Sequence, residues 1–129
     1  MKITPEEIDN VSRLSPFDRY HYFIKRVADF GILYTLADEE GNLAVSEIDD
    51  KILLSFWSAK EYALLNITNE WEQYLVKEIT LEEFEARYID FVIDNRYLLN
   101  VFPINNKTGF VVDVSELARD LADEMEKYI

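Results

Sequence analysis

His21 is the only histidine in this chain of 129 residues, and the chain contains no cysteine. A thiolate metal site and a site built from several histidines are therefore excluded, because transition metals in proteins depend mainly on these ligands. His21 follows Phe17 by one helical turn, on the flank of an aromatic stripe, where a packing or hydrogen-bonding role is the usual one. The enzymatic alternative is an acid–base role for His21 together with a nearby carboxylate.

Other catalytic signatures are missing from the sequence. Ser15, Ser58 and Ser115 stand where helix caps are expected, and no serine has the G-x-S-x-G surroundings of an activated nucleophile. There is no G-x-G-x-x-G or Walker pattern, and only three glycines exist to let the backbone approach a phosphate. The sequence therefore predicts a non-enzymatic protein without a catalytic residue, a metal or a cofactor.

Two acidic turns are the candidate binding residues. Asp38, Glu39 and Glu40 form the first, and Asp49 and Asp50 form the second. Neither has the alternating ligand spacing of a calcium loop. We therefore predict that these five residues are rim charges of a protein-binding surface.

The charge balance favours a basic protein partner. The chain carries 26 acidic and 13 basic residues, a formal net charge of -13. Such a field repels phosphate backbones, which argues against direct nucleic-acid binding, while it steers basic proteins toward the surface. The function predicted first is a bacterial immunity or inhibitor protein that neutralises a basic toxin or a nucleic-acid-directed enzyme. Solubility is the simpler explanation of the same charge.

Three aromatic residues support a different function. Trp57, Tyr62 and Trp71 lie near a strand-to-helix junction and the loop that follows it. If they line a pocket, the protein is a small regulatory or ligand-sensing domain; if they do not, they are core residues.

The cellular setting follows from absences in the sequence. The acidic amino terminus is unlike a signal peptide, and no apolar run reaches the roughly 20 residues of a membrane span. Together with the lack of cysteine, this predicts a cytoplasmic protein without a membrane partner. We expect a monomer or a weak homodimer, the latter if a sheet edge is uncovered.

The element that must organise these residues is a helix between Ser15 and Gly31, with Pro16 at its first position. Its apolar stripe begins at Phe17, is widened by Phe23 and Phe30, and leaves Tyr22 on the opposite side. Arg19, Lys25 and Arg26 on this helix are predicted to pair with the protein's own carboxylates.

The rest of the chain alternates between the two periodicities. Strands are predicted at 32–37, 43–48, 52–57, 97–104 and 110–114, and a strand is favoured at 74–79, where the composition also permits a helix. Helices are predicted from Thr4, from Ser58, from a capping box at Thr80 to about Asp94, and from Ser115. This pattern predicts one α+β domain over residues 1–129, with a mainly antiparallel sheet of five or six strands and four or five helices.

The order and spacing of several short motifs resemble those of the uncharacterised bacterial family called domain of unknown function 2750. The residues that carry the resemblance are Arg19-Tyr20, Phe23-Ile24, Val27-Ala28-Asp29, Trp57, Glu61-Tyr62-Ala63 and Val101-Phe102-Pro103. The chain is more distantly similar to the enhanced-serine-sensitivity family, which has an α+β fold. Both resemblances imply a compact α+β domain, and neither supplies a catalytic residue.

Overall fold

The computed structural model describes residues 3–68, 71–105 and 107–127. Asn69 and Asn106, which fall between predicted helices and strands, and both ends of the predicted domain lie outside the described residues. The elements in chain order are α1 (Pro5–Ser12), α2 (Pro16–Phe30), β1 (Ile32–Ala37), β2 (Val45–Ile48), β3 (Lys51–Phe56), α3 (Lys60–Leu64), β4 (Leu75–Thr80), α4 (Leu81–Glu83, Phe84–Tyr88 and Ile89–Asp94), β5 (Leu98–Val101), β6 (Phe110–Val112) and α5 (Val114–Glu126).

Helix α2 has the predicted ends and a central position. Ser15 accepts a hydrogen bond from the Asp18 backbone at 3.2 Å, and Gly31 closes the helix with φ 71°. The helix packs against α5, β5 and β6. It buries an arginine together with its apolar residues: Arg19, Tyr20, Phe23, Ile24 and Val27. Phe17 and Phe30, which were predicted on the buried face, are exposed.

The six strands of the described residues form two sheets. β1 pairs with β4 in an antiparallel ribbon, and the second sheet has the order β2-β3-β5-β6. Within the second sheet only β3 and β5 are parallel, because α3, β4 and α4 carry the chain across between them. The predicted α+β class with a mainly antiparallel arrangement is therefore confirmed.

The predicted return of the chain along β1 is wrong for most of its length. A single bridge joins Ala37 to Leu43, and β2 then pairs with β3 through a two-residue turn. The reason is that β1 has no free edge for it: β4 covers one edge along the full strand, and Trp57 exchanges two backbone hydrogen bonds with Tyr34 on the other.

Two predicted helix caps are also wrong, while a third is confirmed. Ala59, not Ser58, precedes α3, and the Ser58 hydroxyl is buried without a partner among the described residues. Asp113, not Ser115, caps α5 by accepting a hydrogen bond from the Glu116 backbone at 2.8 Å. The capping box of Thr80 is present and starts α4, whose middle segment is a π-helix.

One hydrophobic core joins these elements. It extends from Ile3 to Leu121 and includes side chains from both sheets and from α1 to α5. Within the described residues, none of the helices combines the length and the apolar character that crossing a membrane requires.

Candidate functional site

The first acidic turn is ordered by one of its own carboxylates. Asp38 accepts hydrogen bonds at 2.9 Å from the backbones of Glu40 and Asn42, and the Asn42 side chain donates to it at 3.2 Å. These bonds, first of all the backbone donor of Asn42, lower the pKa of Asp38 below its ordinary value. Asp38 therefore has a local structural role, while Glu39 and Glu40 are exposed.

The second acidic turn depends on backbone conformation. Asp49 and Asp50 are the two central residues between β2 and β3, with φ 49° and 66°. A positive φ at both positions is what a type I′ hairpin turn requires, and aspartate tolerates it better than most residues do. Both side chains are exposed. The acidic character of this turn thus has a conformational explanation as well as a functional one.

The structure places the two turns at opposite ends of β2 instead of side by side. A strand of four residues spans roughly 13 Å, so the two turns are separated by about that length of β2. β2 is an edge strand, and its Val45 and Ile48 side chains are about 40% exposed. We call β2 with residues 38–40 and 49–50 the acidic edge.

Two residues of the acidic edge have no backbone hydrogen-bond partner in the part of the chain that the structure describes. Ile48 and Lys51 flank the two-residue turn, so they form a hydrogen-bonded pair, and Ser46 with Leu53 forms the next one. The N–H and C=O groups of Val45 and Glu47 consequently point away from β3, toward the open edge. Such an edge can accept another strand.

His21 is exposed on α2 and contacts two aromatic rings. The Phe17 ring lies edge-on at a centroid distance of 4.4 Å, and the Tyr20 ring lies at 6.0 Å. Among the described residues, no group of three or more histidines, cysteines and carboxylates is arranged to hold a metal ion. The structure thus gives His21 neighbours that pack against it.

The three candidate pocket aromatics have different positions. Trp57 and Tyr62 are completely buried, and the Trp57 indole donates a hydrogen bond to the Pro103 carbonyl at 2.9 Å. The Tyr62 hydroxyl lies 3.0 Å from that of Tyr22. Trp71 is half-buried and packs against the same core. These contacts give Trp57 and Tyr62 a packing role in the core.

A polar network that the sequence did not predict connects α1, α2 and α3. Tyr22 donates to the Glu7 carboxylate, and Arg26 pairs with the same oxygen at 2.6 Å. Burial, followed by the hydrogen bond to Glu7, raises the pKa of Tyr22 well above its ordinary value. Among the three cations of α2 that were predicted to pair with carboxylates, Arg26 does so.

Arg19 instead binds backbone oxygens. It is only 6% exposed, and it donates to the carbonyls of Phe102 at 3.1 Å and of Leu14 at 2.5 Å. Burial lowers the pKa of this guanidinium. The position of Arg19 on α2 did not predict its burial. Its partner Phe102 was named in the sequence analysis only as part of the Val101-Phe102-Pro103 motif.

The loop after β5, whose Phe102 carbonyl accepts the Arg19 hydrogen bond, has several conformational constraints. Phe102 and Asn105 have positive φ values of 65° and 55°, which are unusual for these residues. Asn100 accepts a hydrogen bond from the Gly109 backbone at 2.8 Å. A Cβ atom at Gly109 would lie 2.1 Å from the Val101 carbonyl oxygen, so no side chain fits there. We call residues 102–105 and 107–109 the arginine loop.

Two of the larger cavities among the described residues lie away from the acidic edge. One of about 360 Å³ lies between α4, at its π-helical segment, and α5. It is lined by Leu81, Phe84, Glu85, Ile89, Ala118, Leu121, Ala122 and Met125. The other, of about 310 Å³, lies between the α1–α2 connection and the arginine loop, and Arg19 lines it.

The two sheets and the central helix thus define a small α+β domain with an acidic sheet edge. The model of the family described as "Protein of unknown function (DUF2750)" matches residues 20–121 of this chain. The match covers most of the chain and confirms the first resemblance: the protein belongs to this family. It does not show the more distant link to the enhanced-serine-sensitivity family. A search of curated proteins gives no match.

Proposed function

We propose that this protein is a non-enzymatic protein-binding domain whose acidic edge takes an extended basic segment of a partner protein. The observation that carries the proposal is the open edge of β2 between two acidic turns. Residues 38–51 include six acidic residues and one lysine, a formal charge of -5. The backbone groups of Val45 and Glu47 would pair with the added strand, and the surrounding carboxylates would select a basic one.

A second copy of the chain is a poorer occupant of the same edge. Two such edges would bring a charge of -5 against another charge of -5, and like charges across a strand pair are destabilising. The same repulsion protects the exposed edge from self-association, as charged residues do on other sheet edges. The protein is therefore proposed to be a monomer until it meets its partner.

The most concrete form of this function is an immunity or inhibitor protein. Toxins and enzymes that act on nucleic acids carry lysine and arginine at their substrate surface, because they must neutralise phosphates. An acidic strand bound across such a surface would exclude the substrate. A cytoplasmic location, where such a target would be met, agrees with the chain's lack of cysteine.

Site-specific photo-crosslinking tests which edge is used. The crosslinking residue replaces Val45 on β2, and the matched control replaces Val111 on β6, at the opposite edge of the same sheet; both valines are 40% exposed. Crosslinking in the native host should capture a basic protein at position 45 and not at position 111. Equal capture at both positions, or an acidic partner, would contradict the proposal.

Charge variants then test steering with the purified partner. Asp49→Asn with Asp50→Gly removes two charges and keeps a favourable turn, while Asp123→Asn with Glu126→Gln removes two exposed charges from α5. At low salt, the first variant should associate about 3- to 10-fold more slowly than the control. Association rates that do not depend on salt would exclude steering.

A ligand-sensing role is the second candidate, and the cavity between α4 and α5 favours it. Its volume of about 360 Å³ and its mainly apolar lining suit a small apolar ligand, and π-helical segments are frequent at functional sites. A panel of apolar metabolites should raise the melting temperature of the wild type but not of Ala118→Leu, which fills the cavity. The absence of any shift across the panel would count against this role.

A further inference from the structure

The second cavity concentrates positive charge in an acidic protein. It has a volume of about 310 Å³ and is lined by Arg13, Arg19 and Lys107. These are three of the 13 basic residues of the chain, and no acidic side chain is among the described residues that line the cavity. The charged side chains that line the cavity are therefore opposite in sign to the net charge of the molecule.

Arg19 contributes a buried charge with donors to spare. Its two hydrogen bonds go to the carbonyls of Phe102 and Leu14, and no carboxylate of the described residues forms an ion pair with it. A guanidinium has five N–H donors, so others remain for a ligand. A buried cation without a counter-ion is unfavourable, and an anion bound beside it would remove that cost.

The other two cations are positioned to turn toward a ligand. Lys107 is exposed at the rim. Arg13 pairs with Asp9 at 2.7 Å, but the two side chains are 73% and 59% exposed, so this pair is weak and easily exchanged. Ser12, Asn105 and Thr108 add neutral hydrogen-bonding groups to the lining.

The backbone beside the cavity is held in an unusual conformation. Phe102 and Asn105 keep positive φ values because Arg19, and the Trp57 indole bound at Pro103, fix the loop around them. Backbone strain of this kind persists where the surroundings determine it, and it is concentrated at ligand-binding and active sites. These hydrogen bonds hold the carbonyls of Phe102 and Pro103 before any ligand arrives, and such preorganisation lowers the entropy lost on binding.

We infer that this cavity binds the phosphate group of a small phosphorylated metabolite. Three cations match a dianionic phosphate better than a single carboxylate, and arginine binds phosphate oxygens through paired N–H groups. The volume is at the lower end of small-molecule sites, which leaves room for a phosphate and a short attached group. The site is separate from the acidic edge and does not depend on the proposed protein-binding function.

Titration of the full chain with inorganic phosphate and with ribose 5-phosphate tests the inference, with neutral ribose as the control ligand. Calorimetry gives the affinity, and amide NMR shifts locate the bound ligand. Both phosphates should bind saturably at the amides of the arginine loop, and ribose should not bind. The variant Arg13→Gln with Lys107→Gln should bind at least about 10-fold more weakly, because two exposed charges are lost without removal of a buried group.

The matched control is Lys60→Gln with Arg119→Gln, which removes one exposed lysine and one exposed arginine away from the cavity. It should bind phosphate like the wild type. No saturable binding by the wild type, or equal weakening in the two variants, would overturn the site. Binding of inorganic phosphate without ribose 5-phosphate would overturn the assignment to a metabolite. Arg19→Lys, if folded, should also bind more weakly, since one ammonium cannot replace the fork of donors.

Discussion

The acidic edge and the arginine loop use charge in opposite ways. In the acidic edge, many exposed carboxylates surround a strand, and local turn geometry alone holds them. In the arginine loop, one buried cation holds a strained segment through the Phe102 carbonyl, which is 83 residues away in sequence. Many exposed charges thus indicate a surface, whereas a buried charge indicates a segment whose conformation depends on that charge. The acidic edge should therefore tolerate substitution, and the arginine loop should not.

The sharpest test of this contrast is Gly109→Ala. A new methyl group would meet the Val101 carbonyl at 2.1 Å, and the backbone must move, so we expect a loss of about 3 kcal/mol or more in the free energy of unfolding. Urea denaturation measures it. Gly41→Ala is the control, because its Cβ would meet open space and only the φ of 88° is unfavourable, at about 1 kcal/mol. Equal losses of stability in the two variants would show that the arginine loop is no less tolerant of substitution than the first acidic turn.

Trp57→Phe tests the second support of the arginine loop. The substitution leaves the buried Pro103 carbonyl without its donor and opens a small cavity, for an expected loss of about 2 to 3 kcal/mol. Trp71→Phe, at a half-buried position, should cost less than about 1 kcal/mol. Denaturation curves for the two variants that coincide would show that the indole hydrogen bond does not hold the loop.

Tyr22→Phe tests the polar network of α1, α2 and α3 through the pH dependence of stability. The pKa of Tyr22 is raised in the folded protein, so its stabilising effect is complete below the unfolded-state pKa of about 10 and decreases as the pH rises above it. Above pH 10, the wild type should lose up to about 1.4 kcal/mol per pH unit more than the variant does. Urea midpoints between pH 8 and 11 measure the slopes. Equal pH dependences of stability in the wild type and the variant would contradict a raised pKa of Tyr22 in the folded protein.

The smallest effect is expected at the acidic edge. Asp49→Asn with Asp50→Gly should change the free energy of unfolding by no more than about 0.5 kcal/mol, because asparagine and glycine favour positive φ. Alanine at both positions should cost about 1 kcal/mol, since it is strained there. A large loss in the Asn–Gly variant, measured by urea denaturation, would show that these carboxylates have a structural role of their own.

Local signals predicted much of the fold. The spacing of apolar residues between Ser15 and Gly31 gave α2 with its two ends, and Thr80 with Glu83 gave the start of α4. These features depend on residues within a few positions of each other. The partner of β2 was predicted less well, because strand pairing depends on which edges other strands leave open.

In the candidate site, too, local features were predicted and features that depend on distant contacts were not. The acidic turns were predicted from their runs of carboxylates. The positive φ values of the second turn and the role of Asp38 as a hydrogen-bond acceptor in the first were not predicted. Arg19 was predicted to pair with a carboxylate, and the structure shows backbone partners 83 and 5 residues away instead. No periodicity or motif in one sequence reports a contact across 83 residues.

The sequence by itself determined the α+β class, the ends of the central helix, the net charge and the family resemblance that the family match confirms. Only the tertiary structure decided that the two acidic turns flank an open strand and that an arginine supports the loop after β5. The physical reason is that caps, turns and amphipathic stripes are made by near neighbours in the chain. Sheet edges, buried cations and cavities exist only after distant segments have packed together.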